Sequence, residues 1–355
     1  MYEIKVTKAT VLKQKPADES KLGFGKIFSD HMLLINYDEG KGWHDARIVP
    51  YGNLSLDPAS CVLHYGQEIF EGAKCYRTAK GFNLFRIRDN FERMNRSAER
   101  MGMAQIPVEL CMEGLLKLLE IDKEWTPHKE GTSLYIRPTM IATQPVLGVS
   151  ASTSYLFYVL LSPSGAYYAS GLAPVGIYVE DKLVRAVRGG VGFAKTGGNY
   201  AASILAGVKA KHEGYAQVLW LDGVEQRYIE EVGSMNMMFV YDDKKIVTPM
   251  LNGSILSGIT RNSVLKLAGS MGYETEEKRI SIDEVIQGAK SGMITEAFGT
   301  GTAAVVSPVN KIAYKDEEVS IGDGNIGKIT QKLYDTLTGI QFGKIADPFG
   351  WITTL

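Results

Sequence analysis

The sequence predicts an α+β fold of two mixed domains, and three observations support this prediction. The chain has 355 residues, enough for about two domains at ~150 residues each. Segments with helical and with strand periodicity are mixed along it without regular alternation. A stretch rich in proline, glycine and serine separates two such regions near the middle of the chain. We therefore expect a small N-terminal domain at 1–162, an interdomain loop at 163–174 and a large C-terminal domain at 175–355.

The elements of the N-terminal half follow from the spacing of apolar residues. Asp57-Pro58 is typical of a helix start, because proline is tolerated at the first helical position, and it predicts a helix to about Gln67. The other expected elements are two short strands within 72–86, helices at 89–101 and 109–122, and strands at 133–142 and 154–161.

In the C-terminal half, turn and capping residues mark the element boundaries. Asp222-Gly223 is a hairpin signal that predicts paired strands at 217–221 and 224–231. Ser281 and Glu284 form a capping box that predicts a helix to about Ala289. The other expected elements are helices at 200–212, 258–268 and 326–340, and strands at 235–241, 245–247, 293–298 and 303–309.

Composition and charge argue against several classes of function. A net charge of −1 provides no basic surface for nucleic acid or an anionic membrane. The three cysteines lack CxxC spacing, which favours reduced thiols, and the longest apolar run, 155–161, is too short to cross a bilayer. We expect a cytoplasmic protein. The scattered histidines predict no metal site.

Glycine is in excess, with 38 residues, and five of these lie around Lys195 within 189–198. Such a loop lets backbone approach a ligand closely. A lysine held there can form a Schiff base with an aldehyde cofactor, once desolvation or nearby cations such as Arg185 and Arg188 favour its free amine. A plain surface lysine is the alternative interpretation.

Other features leave alternatives open. Residues 299–304 match a dinucleotide-binding pattern without the helix it requires, so they form either an anion-binding turn or a plain hairpin turn. Gly258 begins a helix whose N-terminus suits a phosphate, although an ordinary helix start is commoner. Glu230 and Glu231 are expected to face opposite sides of a strand, one buried and one exposed. Arg86 suits either a phosphate or a structural ion pair.

Several motifs carry a family resemblance, and they stand at 24–32, 63–72, 84–86, 93–97, 135–138, 189–200, 231–236 and 298–303. Together they resemble the branched-chain aminotransferases, pyridoxal-phosphate enzymes of fold type IV with a D-amino-acid-aminotransferase-like fold. The resemblance covers essentially the whole chain. It implies transamination of L-leucine, L-isoleucine and L-valine with 2-oxoglutarate, and a homodimer whose site is bordered by the neighbouring small domain.

The resemblance also implies a role for each residue of a cofactor site. Lys195 matches the lysine that binds pyridoxal 5′-phosphate, and Tyr200 the tyrosine that contacts its phenolic oxygen. Glu231, rather than Glu230, matches the carboxylate that keeps the pyridine nitrogen protonated. The other residues expected at the cofactor, most of them around its phosphate, are Arg86, Arg185, Ser234, Ile259, Thr260 and Thr302.

A substrate pocket follows from the same resemblance. The residues expected to recognise the substrate carboxylate are Tyr65, Arg137, Thr302 and Ala303. Those expected to line an apolar pocket are Phe28, Phe70, Tyr135, Tyr167 and Tyr168. A pocket without fixed charge favours branched aliphatic side chains.

Two departures and three competing functions complete the sequence-based interpretation. Ala304 and Ser307 replace the redox-sensing cysteines of some animal members, and Ser234 replaces a common threonine. A D-amino-acid aminotransferase and an aminodeoxychorismate lyase share the fold, but the motifs at 24–32 and 135–138 argue against both. A nucleotide-binding module that uses the glycines near 299 is the alternative of a different class.

Overall fold

A computed structural model describes residues 2–165 and 172–355. The chain divides into two compact units. Among the described residues, the first unit comprises 2–165, 194–197 and 340–355, and the second comprises 172–193 and 198–339. The domain boundaries expected at 162 and 175 stay a prediction.

Strands and helices alternate irregularly along both units. The strands are β1 Lys5–Val6, β2 His31–Asp38, β3 Gly42–Pro50, β4 Glu68–Phe70, β5 Ala73–Thr78, β6 Gly81–Phe85, β7 Ser133–Ala142, β8 Ser154–Ser164, β9 Val175–Glu180, β10 Gln217–Leu221, β11 Ile229–Val232, β12 Met235–Tyr241, β13 Lys245–Pro249, β14 Glu274–Lys278, β15 Ile294–Gly301, β16 Val305–Tyr314, β17 Glu317–Ser320 and β18 Ile352–Thr354. The helices are α1 Cys61–Tyr65, α2 Ile87–Arg100, α3 Val108–Asp122, α4 Gly197–Ala201, α5 Ile204–His212, α6 Ile259–Ser270, α7 Ile282–Ser291 and α8 Lys328–Gln341.

The first unit is built on one mixed sheet in the order β1-β3-β2-β8-β7-β5-β6-β18, with β4 paired to β7. Helices α2 and α3 pack against this sheet, and their apolar side chains join its core. Because side chains alternate along a strand, Leu134 and Ile136 of β7 enter that core, whereas Tyr135 and Arg137 lie on the opposite face. That opposite face carries the candidate site.

A second mixed sheet, in the order β11-β10-β9-β16-β15-β12-β13-β14 with β17 paired to β16, forms the second unit. Most pairings in both sheets are antiparallel, and a few, such as that of β9 with β10, are parallel. This arrangement confirms the predicted mixed α+β class. No helix in the described ranges has both the length and the apolar character needed to cross a bilayer.

Two predicted elements are wrong at their boundaries. The helix expected from Asp57 to Gln67 spans only α1. Before it, the Asp57 carbonyl accepts the Ser60 N–H in a turn, and after it the chain enters β4. The tight hairpin expected at Asp222-Gly223 is a longer loop. There the Asp222 carboxylate accepts backbone N–H groups of four residues, which are Val224, Glu225, Arg227 and Tyr228.

Candidate active site

Lys195 lies outside regular secondary structure, beside β4 in the first unit. Its N–H donates to Ser97 Oγ at 2.9 Å, and its carbonyl accepts the Phe70 N–H at 3.0 Å. Its Nζ is 4.9 Å from the centroid of the Phe70 ring. Two separate elements, α2 and β4, therefore hold the lysine backbone and place its Nζ near an aromatic ring.

The two residues after Lys195 are attached to Glu68 of β4. Thr196 Oγ1 donates to the Glu68 carbonyl at 2.7 Å, and the Gly197 N–H donates to the Glu68 carboxylate. A Cβ at position 197 would overlap that carboxylate, so a larger residue there would force the Glu68 side chain to move. Burial raises the pKa of the Glu68 carboxyl, against the opposing effects of the Gly197 N–H and the Arg137 charge.

A cavity of about 560 Å³ opens on the same face of the first sheet. It is lined by Phe24, Gly25, Phe28, Glu68, Phe70, Tyr135, Arg137, Thr139, Tyr158, Leu160 and Ser162. Four residues expected at the substrate are among these, namely Phe28, Phe70, Tyr135 and Arg137. The expected absence of fixed charge is wrong, because Glu68 and Arg137 both line the cavity. Glu68 was missed, although strand periodicity places it on the same face as Phe70.

Arg137 is positioned by aromatic rings and keeps an unused donor. Its guanidinium carbon lies 4.7 Å from the centroid of the Phe70 ring, and one terminal nitrogen donates to Tyr135 Oη at 3.0 Å. Its Nε is buried and has no hydrogen-bond partner within the described part of the chain, and the same holds for Ser162 Oγ. Buried polar atoms of this kind are normally satisfied, so the cavity is suited to a polar ligand.

The remaining predicted residues of the first unit are placed differently. Tyr65 on α1 is exposed, lies outside the cavity lining and donates its hydroxyl to the Leu147 carbonyl. Arg86 has φ 49° and caps α2, its Nε donates to Asp89, and its guanidinium lies 5.6 Å from the centroid of the Trp351 ring. An ion pair is thus present at Arg86. Tyr167 and Tyr168 lie outside the described residues.

In the second unit, Glu231 is held between a backbone donor and an arginine. Its Oε1 accepts the Leu256 N–H at 2.8 Å, and its Oε2 lies 3.3 Å from Arg185 Nε. The Arg185 guanidinium also donates to the Ser254 carbonyl at 2.6 Å. Such donors compensate the cost of burying a carboxylate.

Glu230 is also buried, so the expectation that one of the two carboxylates is exposed is wrong. Glu230 Oε1 accepts the Ser254 hydroxyl and, at 3.1 Å, the Asn252 amide. Burial raises the pKa of the Glu230 carboxyl. Both carboxylates are buried because the 252–256 segment supplies donors to each of them.

Phosphate-binding candidates in the second unit lie at a helix start and in a turn. Helix α6 begins at Ile259 and Thr260, where its dipole is positive. Thr302 and Ala303 form the turn between the antiparallel strands β15 and β16. The 299–304 segment is therefore a hairpin and not a dinucleotide motif.

Two further predicted cofactor residues lie at the ends of second-unit elements. Tyr200 is half-buried on α4, and Ser234 is exposed in the turn between β11 and β12. Within the described ranges, no three His, Cys, Asp or Glu side chains are grouped so that they could hold a metal ion.

The chain is similar to known proteins over most of its length. Residues 68–312 match the family model described as amino-transferase class IV. The chain is 55% identical, over 98% of its length and 97% of the relative, to a probable branched-chain-amino-acid aminotransferase of Staphylococcus aureus strain N315. It is 54% identical, over 99% of its length and 96% of the relative, to branched-chain-amino-acid aminotransferase 2 of Bacillus subtilis strain 168.

A solved structure is similar over most of the chain as well. It is the T.th. branched-chain amino acid aminotransferase complexed with N-(5′-phosphopyridoxyl)-L-glutamate. The match has a TM-score of 0.74 at 29% identity and covers 91% of this chain and 98% of that chain. The ligand of that structure joins a phosphopyridoxyl group to an amino acid.

Proposed function

Since the chain belongs to the class IV aminotransferases, we propose that it transfers the amino group of L-leucine, L-isoleucine and L-valine to 2-oxoglutarate. The products are the branched-chain 2-oxo acids and L-glutamate. The observation that carries the proposal is Lys195. Its backbone makes two hydrogen bonds, and its Nζ lies over the ring of Phe70, which lines the cavity.

The donor set suits pyridoxal 5′-phosphate, the cofactor of the family. Lys195 supplies an amine for its aldehyde, and the buried Glu231 supplies a carboxylate for its ring nitrogen. For the phosphate the chain offers a guanidinium at Arg86 and the positive end of α6 at Ile259 and Thr260. We assign Arg185, Tyr200, Ser234 and Thr302 to the same cofactor.

Lys195 and Glu231 have separate roles in the proposed reaction. Bound pyridoxal phosphate supplies an aldehyde that takes up the substrate amine and a protonated ring that withdraws electrons from the α-carbon. Lys195 holds the cofactor, and its amine, freed by the incoming amino acid, moves the α-proton. Glu231 holds the proton at the ring nitrogen. The kinetics should be ping-pong, because one amino acid leaves as an oxo acid before the second substrate binds.

Substrate selection is assigned to the first-unit cavity. Phe28, Phe70 and Tyr135 present aromatic surface for a branched side chain. Arg137 presents a cation with an unused Nε, which suits the second carboxylate of 2-oxoglutarate. We assign Thr302 and Ala303 to the α-carboxylate.

We propose a homodimer, and exposed apolar side chains in two hydrogen-bonded segments support it. Leu63, Leu147 and Val149 are 57%, 64% and 85% exposed, and Tyr65, bonded to the Leu147 carbonyl, adjoins them. Exposed apolar surface often marks protein interfaces. Val149→Asp should lower the mass measured by light scattering from dimer to monomer, whereas Val224→Asp, at a similarly exposed valine, should leave it unchanged.

A cytoplasmic location is part of the proposal. Cys61, Cys75 and Cys111 are buried and free, as expected of a protein in a reducing compartment. Cell fractionation of the expressed protein tests the location directly.

The central experiment is reductive trapping of the cofactor. The purified protein should be yellow, and borohydride should fix the cofactor mass on the peptide that contains Lys195. Lys195→Ala should abolish both trapping and transamination, while Lys211→Ala, at an exposed lysine, should abolish neither. Assays with L-leucine and D-alanine separate the proposed activity from a D-amino-acid aminotransferase. A colourless protein with nucleotide affinity would overturn the proposal.

A further inference from the structure

We propose that Glu68 determines how strongly the pocket prefers branched-chain substrates, because it opposes the attraction of Arg137 for the second carboxylate of the dicarboxylate substrate. The inference rests on the proposed function and deepens it. It assigns the discrimination between the two substrate classes to one pair of opposite charges in the first unit.

The two charged side chains lie on one face of the first sheet. In the pairing of β4 with β7, Glu68 is opposite Ile141 and Phe70 is opposite Thr139. Alternation along each strand puts Glu68, Phe70 and Arg137 on the same side, and all three line the cavity. Any side chain that enters this cavity therefore meets both charges.

Arg137 is ready to bind an anion. Its terminal nitrogen is engaged by Tyr135 Oη, but its buried Nε has no partner in the ranges the structure describes. The Arg137 side chain lines the cavity, so a carboxylate ligand there would meet its positive charge. Without an opposing charge, such an arginine would favour binding of the dicarboxylate substrate over binding of an aliphatic side chain.

Glu68 limits that preference because it is fixed in place. The Gly197 N–H holds its carboxylate, and the missing Cβ of Gly197 provides the space that the carboxylate occupies. The carboxylate cannot be displaced without loss of this hydrogen bond. A second carboxylate near Arg137 therefore encounters a fixed like charge, whereas an aliphatic side chain does not.

The test compares two unreactive probes on the holoenzyme. Glutarate carries the distal carboxylate of the dicarboxylate substrate, and 4-methylpentanoate carries a branched aliphatic end. Dissociation constants for both are measured by titration calorimetry in wild type and in Glu68→Gln, whose amide oxygen still accepts the Gly197 N–H. We expect the ratio of the glutarate constant to the 4-methylpentanoate constant to fall about tenfold, the equivalent of ~1.4 kcal/mol.

Two further variants make the result specific. Gly197→Ala displaces the carboxylate without removing it and should lower the same ratio, which keeps the test decisive if Glu68→Gln folds poorly. Glu109→Gln, at an exposed carboxylate paired with Arg88, should leave the ratio unchanged. In steady-state assays, the KM for 2-oxoglutarate should fall relative to that for L-leucine in Glu68→Gln.

The outcomes separate this inference from the proposed function. An unchanged ratio in Glu68→Gln and Gly197→Ala, or equal shifts for both probes, would overturn the role of Glu68. A wild-type protein that fails to transaminate L-leucine would overturn the proposed function. The probe ratio would still report whether Glu68 opposes Arg137.

Discussion

Glu231 and Arg185 form a buried ion pair in which the carboxylate Oε2 lies 3.3 Å from the guanidinium Nε. The Leu256 N–H donates to the other carboxylate oxygen at 2.8 Å. One carboxylate thus has a cation on one side and a backbone dipole on the other. These two contacts fix its position, which is the arrangement expected of a group that stabilises charge during a reaction.

Removal of the Glu231 charge should reduce catalysis. Glu231→Gln should lower kcat for L-leucine with 2-oxoglutarate by about 10²–10³-fold, the range observed when one preorganised electrostatic group is removed from an active site. Stopped-flow and steady-state rates measure the effect. Glu230→Gln is the matched control, since this neighbour contacts Ser254 and Asn252 instead. An equal loss in both variants would contradict the assignment of Glu231.

Binding of dicarboxylates should depend on pH through Glu68. Burial raises the pKa of Glu68 above its ordinary 4.5, so the carboxyl takes up a proton at a higher pH than an exposed glutamate does. As the pH falls through that raised value, the like charge disappears and glutarate should bind more tightly. Calorimetric titrations across the range measure the slope.

The effects of other titratable groups near Glu68 on glutarate binding need to be distinguished from the effect of Glu68. Burial raises the pKa of the Tyr158 hydroxyl further above its ordinary 10.0, so this hydroxyl stays neutral over the same range. Tyr135 and Lys195 also face Phe70 or the cavity. The Glu68→Gln variant isolates the contribution of Glu68, because the part of the pH dependence of glutarate binding that Glu68 causes must be absent from it. If glutarate binding depends on pH equally strongly in this variant, a group other than Glu68 is responsible.

The buried Glu71–Arg93 pair should contribute strongly to stability. Arg93 donates from Nε and from a terminal nitrogen to the two Glu71 oxygens, each at 2.8 Å. Glu71→Gln removes the carboxylate charge that faces a buried guanidinium and should lower the free energy of unfolding by about 3–5 kcal/mol. Urea denaturation measures it. Glu109→Gln breaks the exposed pair with Arg88 and should leave the midpoint nearly unchanged.

The thiols should be inert in the native protein. Burial raises the pKa of Cys75 to about 12 and also raises the pKa of Cys111, and Cys61 is equally inaccessible. A thiolate reagent such as DTNB should therefore label none of the three at neutral pH until denaturant is added. Rapid labelling of the folded protein would show that one of them becomes exposed.

Short-range patterns in the sequence correctly predict local structure. The residues of β7 match the predicted 133–142 strand, because alternation is a local property of the chain. Ser281 accepts the Glu284 N–H and begins α7, as the capping box predicts. The glycine-rich loop around Lys195 and the family motifs were also readable, since each is defined by neighbours in sequence.

Local signals failed where a distant segment decides the outcome. Asp57-Pro58 is a valid helix start, yet the helix ends at Tyr65 because the following residues pair with β7. A distant segment also overrides the local prediction for Glu230. Strand alternation predicts one exposed carboxylate, but donors from the 252–256 segment allow both to be buried.

The sequence by itself determined the class of fold, the family and the identity of the candidate lysine. Only the tertiary structure decided what surrounds that lysine. Glu68 and Gly197 are 129 residues apart, and nothing local to either shows that the carboxylate of one fills the space left by the missing side chain of the other. The charge of the cavity depends on the pairing of β4 with β7 and on the position of the segment that contains Gly197. Those contacts are long-range, and they form only when the sheet does.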